Sequence, residues 1–560
     1  MTRSIIDPIT RIEGHLRAEM EVEDGVVTKA WISGGCFRGM ELVVQDRTPE
    51  DAAHIVQRIC GVCPVSHQHA SSIAAENAYG ITIPNNARII RNLIEGAQFL
   101  HSHILWFYNL AALDYVDPLN ALKADVAECY NLAQELGTPT ADYQTLAERL
   151  TKFAQNGQLS IFSGNWFPTE EAYKNGTNEY KLTPEANLIL TAHYLEALQM
   201  QAKASEIAGL LGGKMPHIMT IVPGGTAFVP TAEKLDDLKG LVDELYEWCT
   251  TRLIPDTLAV AAFYPEALSF GKGCGRYGAW GVFERPFTAE TSMTERMNNR
   301  YLEAGVVDEN FKLFDVDEAK ITEYVGRSWY EGDADLPPFE QGVHPAFTEY
   351  DVDDRYTWVK CPRYDGKPLE TGGFARLMVA YQRGNEFVKK GIDNLLVALG
   401  AKPGDLSVLQ NTLGRTGARQ IETVYVATLM QEWVQELCEA LNSGDSTYFN
   451  APEQITGEGT GFWEAPRGAL YHSEKVKDGK IQEYQIIIPS TWNLAPMDPD
   501  GVHGPMEQAL IGCPVADVEK PINALRTIHS FDPCTACAVH VVEPKTGKKF
   551  ETVTSPWGVK

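Results

Sequence analysis

Apolar residues recur at helical spacing along most of the chain. Between residues 86 and 115 they return every three or four positions over a broad arc, which is typical of a helix buried in a bundle. The same spacing predicts further helices over residues 49–59, 119–136, 142–155, 184–212, 231–262, 374–400 and 416–443. The pattern therefore predicts a mainly helical protein.

Alternating patterns appear near both ends of the chain. Residues 18–22 and 26–32 flank the turn at Asp24-Gly25 and predict a hairpin, and residues 466–492 have strand character around the turn at Asp478-Gly479. Residues 264–372 have little periodicity and are predicted to form irregular surface with short strands. Because no repeat or convincing linker divides the chain, we expect one body with its ends folded together.

The charge of the chain excludes some partners. With 48 Lys and Arg against 75 Asp and Glu, the net charge is −27, which argues against binding to nucleic acid or to an anionic membrane surface. Neither a secretory signal nor an apolar run of 18 residues is found. We therefore expect export or membrane attachment only through a partner.

Four of the eleven cysteines form two CxxC pairs, one near each end of the chain: Cys60 with Cys63, and Cys534 with Cys537. A single pair could be a redox dithiol, half a zinc site or an accident. Two pairs could bring four thiolates together, and thiolates select zinc, copper(I), iron–sulfur clusters or nickel bound with iron. The remaining cysteines are expected to be buried small hydrophobic residues.

A structural zinc site is the simplest alternative. Two features oppose it: the pairs stand at opposite ends of the chain, and polar residues surround them, namely Arg58, His67, Asp532 and His540. Buried charges are costly unless they orient ligands or move protons. The polar surroundings favour a reactive centre, with zinc left as an alternative that metal analysis decides.

Seven short motifs stand in order along the chain. They are RxEGH (Arg11 to His15), FRGxE (Phe37 to Glu41), RxCGxCxxxH (Arg58 to His67), ALD (Ala112 to Asp114), APRG (Ala465 to Gly468), PSTWN (Pro489 to Asn493) and DPCxxCxxH (Asp532 to His540). Together they resemble the large subunit of the nickel–iron hydrogenases, and the resemblance extends from about Ile6 to His540.

The resemblance implies an α+β fold that is predominantly helical, with a large helical bundle and small antiparallel sheets. It also implies a hydrogenase, an oxidoreductase that reversibly splits dihydrogen into two protons and two electrons. The implied cofactor is one nickel and one iron, with cyanide and carbon monoxide on the iron. By motif position, Cys60 and Cys534 would be terminal nickel ligands, and Cys63 and Cys537 would bridge to iron.

The resemblance also assigns catalytic residues. Arg467 would lie over the open coordination position, and Asp114 and Asp532 would pair with it. Because a guanidinium hardly deprotonates, we expect Arg467 to orient and stabilise, with Cys534 as the first proton acceptor. Glu13 would be the first carboxylate of a proton relay. The alternative is that these groups form ordinary structural ion pairs.

Other residues are expected to contact the cofactor or a second ion. Pro489 and Ser490 resemble residues around the cyanide ligands, where the serine hydroxyl can donate a hydrogen bond. Pro466 and His67 are also predicted to lie beside the cofactor. Glu41, His540 and the backbone carbonyl of Ile486 would bind a redox-inert ion, which is magnesium or iron, since imidazole is an unusual ligand for magnesium.

Partners follow from what the chain lacks. Its isolated cysteines do not have ferredoxin spacing, so the resemblance implies an obligate iron–sulfur small subunit.

A hydrogen sensor of low turnover is the alternative function. Sensors of this family carry larger side chains at two positions, which are Val62 and Leu113 here, and this favours a turnover enzyme. The closest type is the membrane-associated uptake enzyme facing the periplasm, and a cytoplasmic enzyme is the alternative.

The last twenty residues, 541–560, lie beyond the final motif. The resemblance implies that they are a maturation extension, removed by an endopeptidase after His540 once chaperones have delivered nickel. Residues 1–540 would then form the mature body, with both ends at the metal site. The alternative is an ordinary C-terminus that stays on the chain.

Overall fold

The computed structural model describes residues 2–159, 168–176 and 178–535. Its α-helices are α1 Met40–Val43, α2 Pro49–Val56, α3 Pro64–Tyr79, α4 Asn85–Ile104, α5 Val126–Leu136, α6 Tyr143–Gln155, α7 Glu170–Asn175, α8 Pro184–Gly212, α9 Ala232–Trp248, α10 Ile254–Phe263, α11 Met293–Asn298, α12 Pro338–Gln341, α13 Gly373–Arg383, α14 Glu386–Ala398, α15 Thr412–Ser443, α16 Pro489–Asn493, α17 Pro505–Leu510 and α18 Ile522–Ser530. Its strands are β1 Thr2–Ile6, β2 Leu16–Glu23, β3 Val26–Gly34, β4 Ile221–Val222, β5 Gly225–Thr226, β6 Tyr277–Ala279, β7 Gly305–Val307, β8 Leu313–Phe314, β9 Ile321–Tyr324, β10 Cys361–Tyr364, β11 Gly457–Ala465, β12 Gly468–Lys477 and β13 Lys480–Ile487.

The predicted α+β class is confirmed: about 48% of the chain is helical, and the sheets are small and antiparallel. One long predicted helix is wrong, because residues 374–400 form two helices that break at Gly384, whose φ of 90° ends α13 in a left-handed cap. The helix predicted over 86–115 exists as α4, followed by a π-helix at Leu105–Ala111 and a 3-10 turn at Ala112–Asp114. These irregular turns lead the chain to Asp114.

Helices α4, α8, α9 and α15 pack together and bury the largest apolar core. Leu93, Leu100, Ile207 and Trp433 are among its fully buried members. Burial of such side chains stabilises by about 1.5–3 kcal/mol each. Helix α3, which follows the first cysteine pair, contacts α4, and helix α18, which precedes the last motif, contacts α15.

Helix α3 lies directly on the sheet β11-β12-β13. Gly457, Gly459 and Gly461 alternate along β11, and a Cβ on each would stand 1.9–2.1 Å from a backbone oxygen of α3. These oxygens belong to residues 78, 74 and 70, which are alanines one helical turn apart. The glycines therefore permit the close approach that places the N-terminus of α3, with its cysteine pair, over the sheet.

Gly461→Ala is expected to destabilise the protein by about 1–3 kcal/mol, the usual cost of overpacking. The new methyl group would stand 1.9 Å from the Ala70 oxygen, so α3 would have to move away from the sheet. Thermal unfolding and nickel content of the purified chain measure the effect. Gly240→Ala is the control, because its Cβ would meet nothing within 4 Å on α9. Equal stability of both variants would contradict the close-packing argument.

The N-terminal sheet contacts the segment that leads to the last motif. The amide of Val27 donates to the Cys513 oxygen at 3.0 Å, and that of Val515 donates to the Gly25 oxygen at 2.8 Å. Beyond this contact, Glu13 and Cys534 form a parallel backbone bridge. The N-terminal sheet is therefore joined to the segment that carries the last motif. Among the described residues, we find no helix with the length and apolar character that crossing a bilayer would require.

Candidate metal centre

Three predicted cysteines converge inside the protein. The Sγ atoms of Cys60, Cys63 and Cys534 all lie within 4.8 Å of one another, and those of Cys60 and Cys534 are 3.3 Å apart. All three residues are buried. The fourth predicted ligand, Cys537, lies outside the described residues. Two motifs from opposite ends of the chain thus form one soft-ligand cluster.

Local backbone geometry places the first cysteine pair. Cys60 follows the 3-10 turn Gln57–Ile59, and Cys63 is the N-cap of α3. The amides of Val62 and Cys63 both donate to the Cys60 sulfur at 3.3 Å. Amide donors and a helix N-terminus favour negative charge, so this loop is suited to a thiolate.

Cys534 is held from two sides. Its amide donates to the Ser490 hydroxyl at 3.0 Å, and the amide of Thr535 donates to the Glu13 carbonyl at 2.7 Å. The Cys534 thiol donates to Glu13 Oε2 at 3.3 Å. Glu13 is half-buried, so its carboxylate joins the sulfur cluster to a less enclosed region. Ser490, predicted as a cyanide contact, thereby also positions a ligand.

Arg467 lies in the tight turn between β11 and β12. The turn is held by Arg376, which donates to the carbonyls of Ala465 and Pro466 at 2.9 and 2.8 Å. Arg376 is buried and is itself paired with Glu422 and Glu464 at 2.5 and 2.7 Å. This buried network fixes the turn that presents Arg467 and the predicted contact residue Pro466.

Arg467 is buried and pairs with Asp532, with Nε 3.2 Å from Oδ1. Burial by itself would lower the pKa of Arg467, but Asp532 and the thiols of Cys534, Cys63 and Cys60 raise it well above the ordinary value. The guanidinium therefore stays charged beside the sulfur atoms. This favours the interpretation of Arg467 as a stabiliser over a role as a base.

The predicted pairing of Asp114 with Arg467 is wrong. Asp114 instead binds Arg11 at 2.5 Å and His529 at 2.5 Å. Burial alone would raise the pKa of Asp114, but Arg11 and His529 lower it. The reason is topological: α18 and the N-terminal loop both reach this carboxylate and satisfy it. Asp114 therefore fixes the elements on either side of the centre.

Asp532 has a second cationic neighbour that the motifs did not indicate. Arg419 on α15 is buried, lies 4.1 Å above the Trp106 ring and interacts with Asp532. Burial lowers the pKa of Arg419 to about 10, although Asp532 and Glu422 oppose the shift. Asp532 also has a φ of 53°, which is unusual for a residue with a side chain. Asp532 thus pairs with Arg467 and interacts with Arg419 from a backbone position of unusual φ.

His67 is the first member of a buried hydrogen-bonded row. Its Nδ1 lies 3.1 Å from His472 Nε2, and His472 Nδ1 lies 2.8 Å from the Tyr484 hydroxyl. That hydroxyl is also 2.8 Å from Ser71 Oγ. Sequence reasoning missed His472 and Tyr484. The available signal was a histidine and a tyrosine at buried positions of two adjacent strands.

The residues predicted to bind a second ion are placed only in part. Glu41 lies on α1, which packs against β13, the strand of Ile486. Burial raises the pKa of Glu41, whereas nearby Lys360 lowers it. Lys360 is itself paired with Glu323 at 2.8 Å, a buried pair that sequence reasoning missed. The remaining predicted ligand, His540, lies outside the described residues.

The described residues fit a nickel–iron centre. Three soft sulfur ligands share one buried point, as such a centre requires. Around them, Arg467 Nη1 and His67 Nε2 are buried and make no hydrogen bond to any residue that the structure describes. Pro489 begins α16 beside Ser490 and is buried. Unused donors and apolar walls suit a group with polar diatomic ligands.

Comparisons with known proteins agree with this donor set. The family described as nickel-dependent hydrogenase matches residues 38–540. The large chain of hydrogenase-2 from Escherichia coli K12 is 40% identical, over 97% of each chain. The uptake hydrogenase large subunit of Bradyrhizobium diazoefficiens is 37% identical, over 97% of this chain and 96% of its own.

Solved structures show the same fold. The reduced Ni-Fe-Se hydrogenase of D. vulgaris Hildenborough has a TM-score of 0.78 at 35% identity, covering 96% of this chain and 100% of its own. The H2-activated [NiFeSe]-hydrogenase of Dm. baculatum has the same TM-score at 33% identity, with the same coverage. With its cysteine cluster, its fold and its matched length, the chain belongs to the nickel-dependent hydrogenase family and is a catalytic large subunit of that family.

Proposed function

We propose that this large subunit reversibly splits dihydrogen into two protons and two electrons. The centre would be one nickel and one iron, bound by Cys60, Cys63, Cys534 and Cys537, with cyanide and carbon monoxide on the iron. The observation that carries the proposal is the convergence of three buried thiols beside a charged, buried arginine. When bound, the metals supply the polarisation that dihydrogen needs for cleavage.

The residues of the chain then handle charge and protons. Cys534 Sγ is the first proton acceptor, and its contact with Glu13 Oε2 gives the proton its next position at 3.3 Å. Arg467, held by Asp532, places a fixed positive charge at the reacting point. Pro466, Pro489 and Ser490 line the cofactor. Because the residues around the centre are buried, water is excluded from it.

Metal analysis of the matured chain is the direct test. We expect nickel and iron in equal amounts, and we expect Cys534→Ser to lose nickel because it removes one of four soft ligands. Cys249→Ser is the matched control, since Cys249 is equally buried but lies in the helical core. Stoichiometric zinc without nickel would refute the proposal and restore the structural zinc site.

Electrons are proposed to leave through an iron–sulfur small subunit in an obligate heterodimer. In support, Cys60, Cys63 and Cys534 are the only group of metal-binding type that the described residues form, so this part of the chain offers no electron-carrying cluster.

We propose an uptake enzyme at the periplasmic face, attached to the membrane through a partner, because one relative is named an uptake hydrogenase. Magnesium or iron is proposed at Glu41, Ile486 and His540.

A turnover enzyme is favoured over a hydrogen sensor. Val62 and Leu113 are both smaller than the side chains that narrow the gas path in the sensors of this family. An apolar cavity is lined by Phe107, Ala112 and Val260, and Ala112 is the chain neighbour of Leu113. An apolar cavity suits passage of an apolar gas.

We further propose that an endopeptidase removes residues 541–560 after His540 once nickel is delivered. The family match ends at residue 540, which supports a boundary there. While the tail is attached, it would keep the Cys534 segment accessible to metal delivery. Its removal would allow His540 to approach Glu41. We expect the mass of the active, nickel-loaded subunit to correspond to an end at His540. A nickel-loaded, active species that still ends at Lys560 would contradict the cleavage.

A further inference from the structure

A tyrosine, an aspartate and a histidine form a buried hydrogen-bonded cluster on elements that carry none of the cysteine ligands. The Tyr108 hydroxyl donates to Asp256 Oδ2 at 2.7 Å, and His193 Nδ1 lies 2.7 Å from the same oxygen. All three residues are at most 1% exposed. Burial and Asp256 raise the pKa of Tyr108 well above its ordinary value, so the phenol keeps its proton. The proposed cleavage of dihydrogen does not use this cluster.

The backbone is irregular on both sides of the cluster. Tyr108 lies in the π-helix Leu105–Ala111, and a second π-helix, Cys249–Leu253, immediately precedes α10, which carries Asp256. π-Helical turns are rare and occur frequently at functional sites. The rings of Tyr108 and Trp248, the N-cap residue of the second π-helix, have centroids 5.3 Å apart. Two irregular turns therefore meet at one contact between a tyrosine and a tryptophan.

Each of these two aromatic side chains has a carboxylate at the atom that loses a proton on oxidation. Asp256 accepts from the Tyr108 hydroxyl, and Glu196 Oε2 accepts from Trp248 Nε1 at 2.9 Å. Loss of one electron makes a phenol O–H or an indole N–H strongly acidic, so a carboxylate already bonded to that proton eases the oxidation. Glu196 is partly exposed and pairs with Arg252 at 3.0 Å. The two side chains thus connect the buried cluster to the surface.

Tyr108 is also closer than Trp248 to the metal centre along the chain of contacts. Two residues before Tyr108, the Trp106 Nε1 donates to the carbonyl of His529 at 2.8 Å. The Arg419 guanidinium lies 4.1 Å from the Trp106 ring and interacts with Asp532 of the centre. A cation over an indole makes loss of an electron from it more costly, and a backbone carbonyl is a poor proton acceptor. An electron deficiency that leaves the centre is therefore more stable on Tyr108 than on Trp106.

We propose that Tyr108 is a redox-active tyrosine that protects the metal centre from oxidation, with Trp248 as its link to the surface. The inference rests on the proposed nickel–iron centre. The oxidant is dioxygen, which is small and apolar like dihydrogen and can enter the apolar cavity that Tyr108 helps to line. Dioxygen that has been only partly reduced at the centre needs further electrons. If none arrives, the cysteine thiolates are the next groups to be oxidised.

The electrons and protons of the relay balance. One electron passes from Tyr108 to the oxidised centre, the phenol O–H bond breaks, and the proton forms an O–H bond on Asp256. The tyrosyl radical then takes an electron from Trp248 and recovers its proton from Asp256, while the indole N–H proton moves to Glu196. A thiolate in solution returns one electron to Trp248, and Glu196 returns the proton. The thiyl radicals that result couple to a disulfide.

The test uses the complete, matured enzyme in two arms. In the first arm, enzyme containing ordinary or ring-deuterated tyrosine is freed of hydrogen, mixed with dioxygen, frozen and examined by electron paramagnetic resonance. In the second arm, a photogenerated ruthenium(III) complex oxidises the protein from the surface under argon. We expect a radical signal in both arms that narrows when the tyrosine rings are deuterated. The second arm needs no reaction at the metal centre.

Tyr108→Phe is expected to lose the deuterium-sensitive signal and to lose activity faster in dioxygen. Tyr264→Phe is its control, because Tyr264 is equally buried but donates to the backbone carbonyl of Tyr115 at 2.6 Å rather than to a carboxylate. It should keep the signal. Asp256→Asn is expected to form the radical about a hundredfold more slowly, within the range for loss of a positioned proton acceptor.

Trp248→Phe is expected to separate the two arms. It keeps an aromatic ring beside Tyr108 but removes the indole, so the ruthenium oxidant should no longer produce the tyrosyl radical. In the dioxygen arm the radical should outlive that of the wild type. Trp433→Phe is the matched control, since Trp433 is buried in the same core and its Nε1 makes no hydrogen bond to any described residue. It should behave as the wild type in both arms.

The outcomes separate the inference from the proposed function. A wild-type enzyme without the deuterium-sensitive radical overturns the inference, as does a signal that survives in Tyr108→Phe. A radical in the ruthenium arm alone overturns the protective role. If Asp256→Asn does not fold, the comparison of Tyr108→Phe with Tyr264→Phe decides by itself. Absence of nickel and iron from the matured enzyme would instead refute the nickel–iron centre.

Discussion

Arg467→Lys is expected to keep the metals and to lower hydrogen oxidation about a hundredfold to a thousandfold, the usual cost of removing one fixed donor at a reacting centre. Arg467 is buried, pairs with Asp532 at 3.2 Å and interacts electrostatically with the three cysteines of the cluster. Lysine keeps the charge but is a point charge on a flexible stem, so it cannot reproduce a planar group held in one orientation. Dye reduction under hydrogen measures the rate, and elemental analysis measures nickel and iron.

Arg363→Lys is the matched control. Arg363 is also buried, and its Nε lies 3.0 Å from Asp498 in an ion pair outside the sulfur cluster. Its replacement reports the stability cost of exchanging a buried arginine without touching the centre. Near wild-type activity in a fully metallated Arg467→Lys enzyme would remove Arg467 from the catalytic residues.

Glu13→Gln is expected to slow hydrogen oxidation by about 10²–10⁴, the range for loss of a proton-transfer group. Glutamine keeps the shape and the contact at Cys534 Sγ, which is 3.3 Å in the wild-type chain, but it cannot take up a proton. Exchange of D2 with solvent protons should fall with dye reduction. Conversion of para-hydrogen to ortho-hydrogen should continue, because it needs cleavage but no proton exit.

Glu19→Gln serves as the control for this prediction. Glu19 is a buried carboxylate on β2, the strand that follows Glu13, and it pairs with Arg3 and Arg17 rather than with a cysteine. The Glu19→Gln variant should exchange D2 with solvent protons at the wild-type rate. If D2 exchange and dye reduction both persist at wild-type rates in Glu13→Gln, protons leave the centre by another path.

Much of the fold could be predicted from local pattern. The long amphipathic helices, the N-terminal hairpin and the hairpin around Asp478-Gly479 were all predicted, because each depends on periodicity or turn residues within a short stretch. Helix α3 was missed. Almost every residue of α3 is buried, so it has no polar face to produce an amphipathic pattern, and its position depends on the glycines of β11, far along the chain.

The cysteine pairs show what the sequence by itself determined about this protein. Spacing and motif context were sufficient to predict that Cys60, Cys63 and Cys534 meet, because the two CxxC motifs have a chemical reason to share a metal. Membership of the hydrogenase family followed from the same short motifs. These motifs are local in sequence, and the chemistry of their residues indicates a metal site without knowledge of the fold.

Only the tertiary structure decided which groups those residues contact. Asp114 was predicted to pair with Arg467, yet Arg11 and His529 bind it, because α18 and the N-terminal loop converge on that carboxylate. The row from His67 through His472 to Tyr484 likewise exists only because α3 rests on a sheet formed near the other end of the chain. Partners of buried polar groups depend on distances between remote segments, and folding sets those distances through packing.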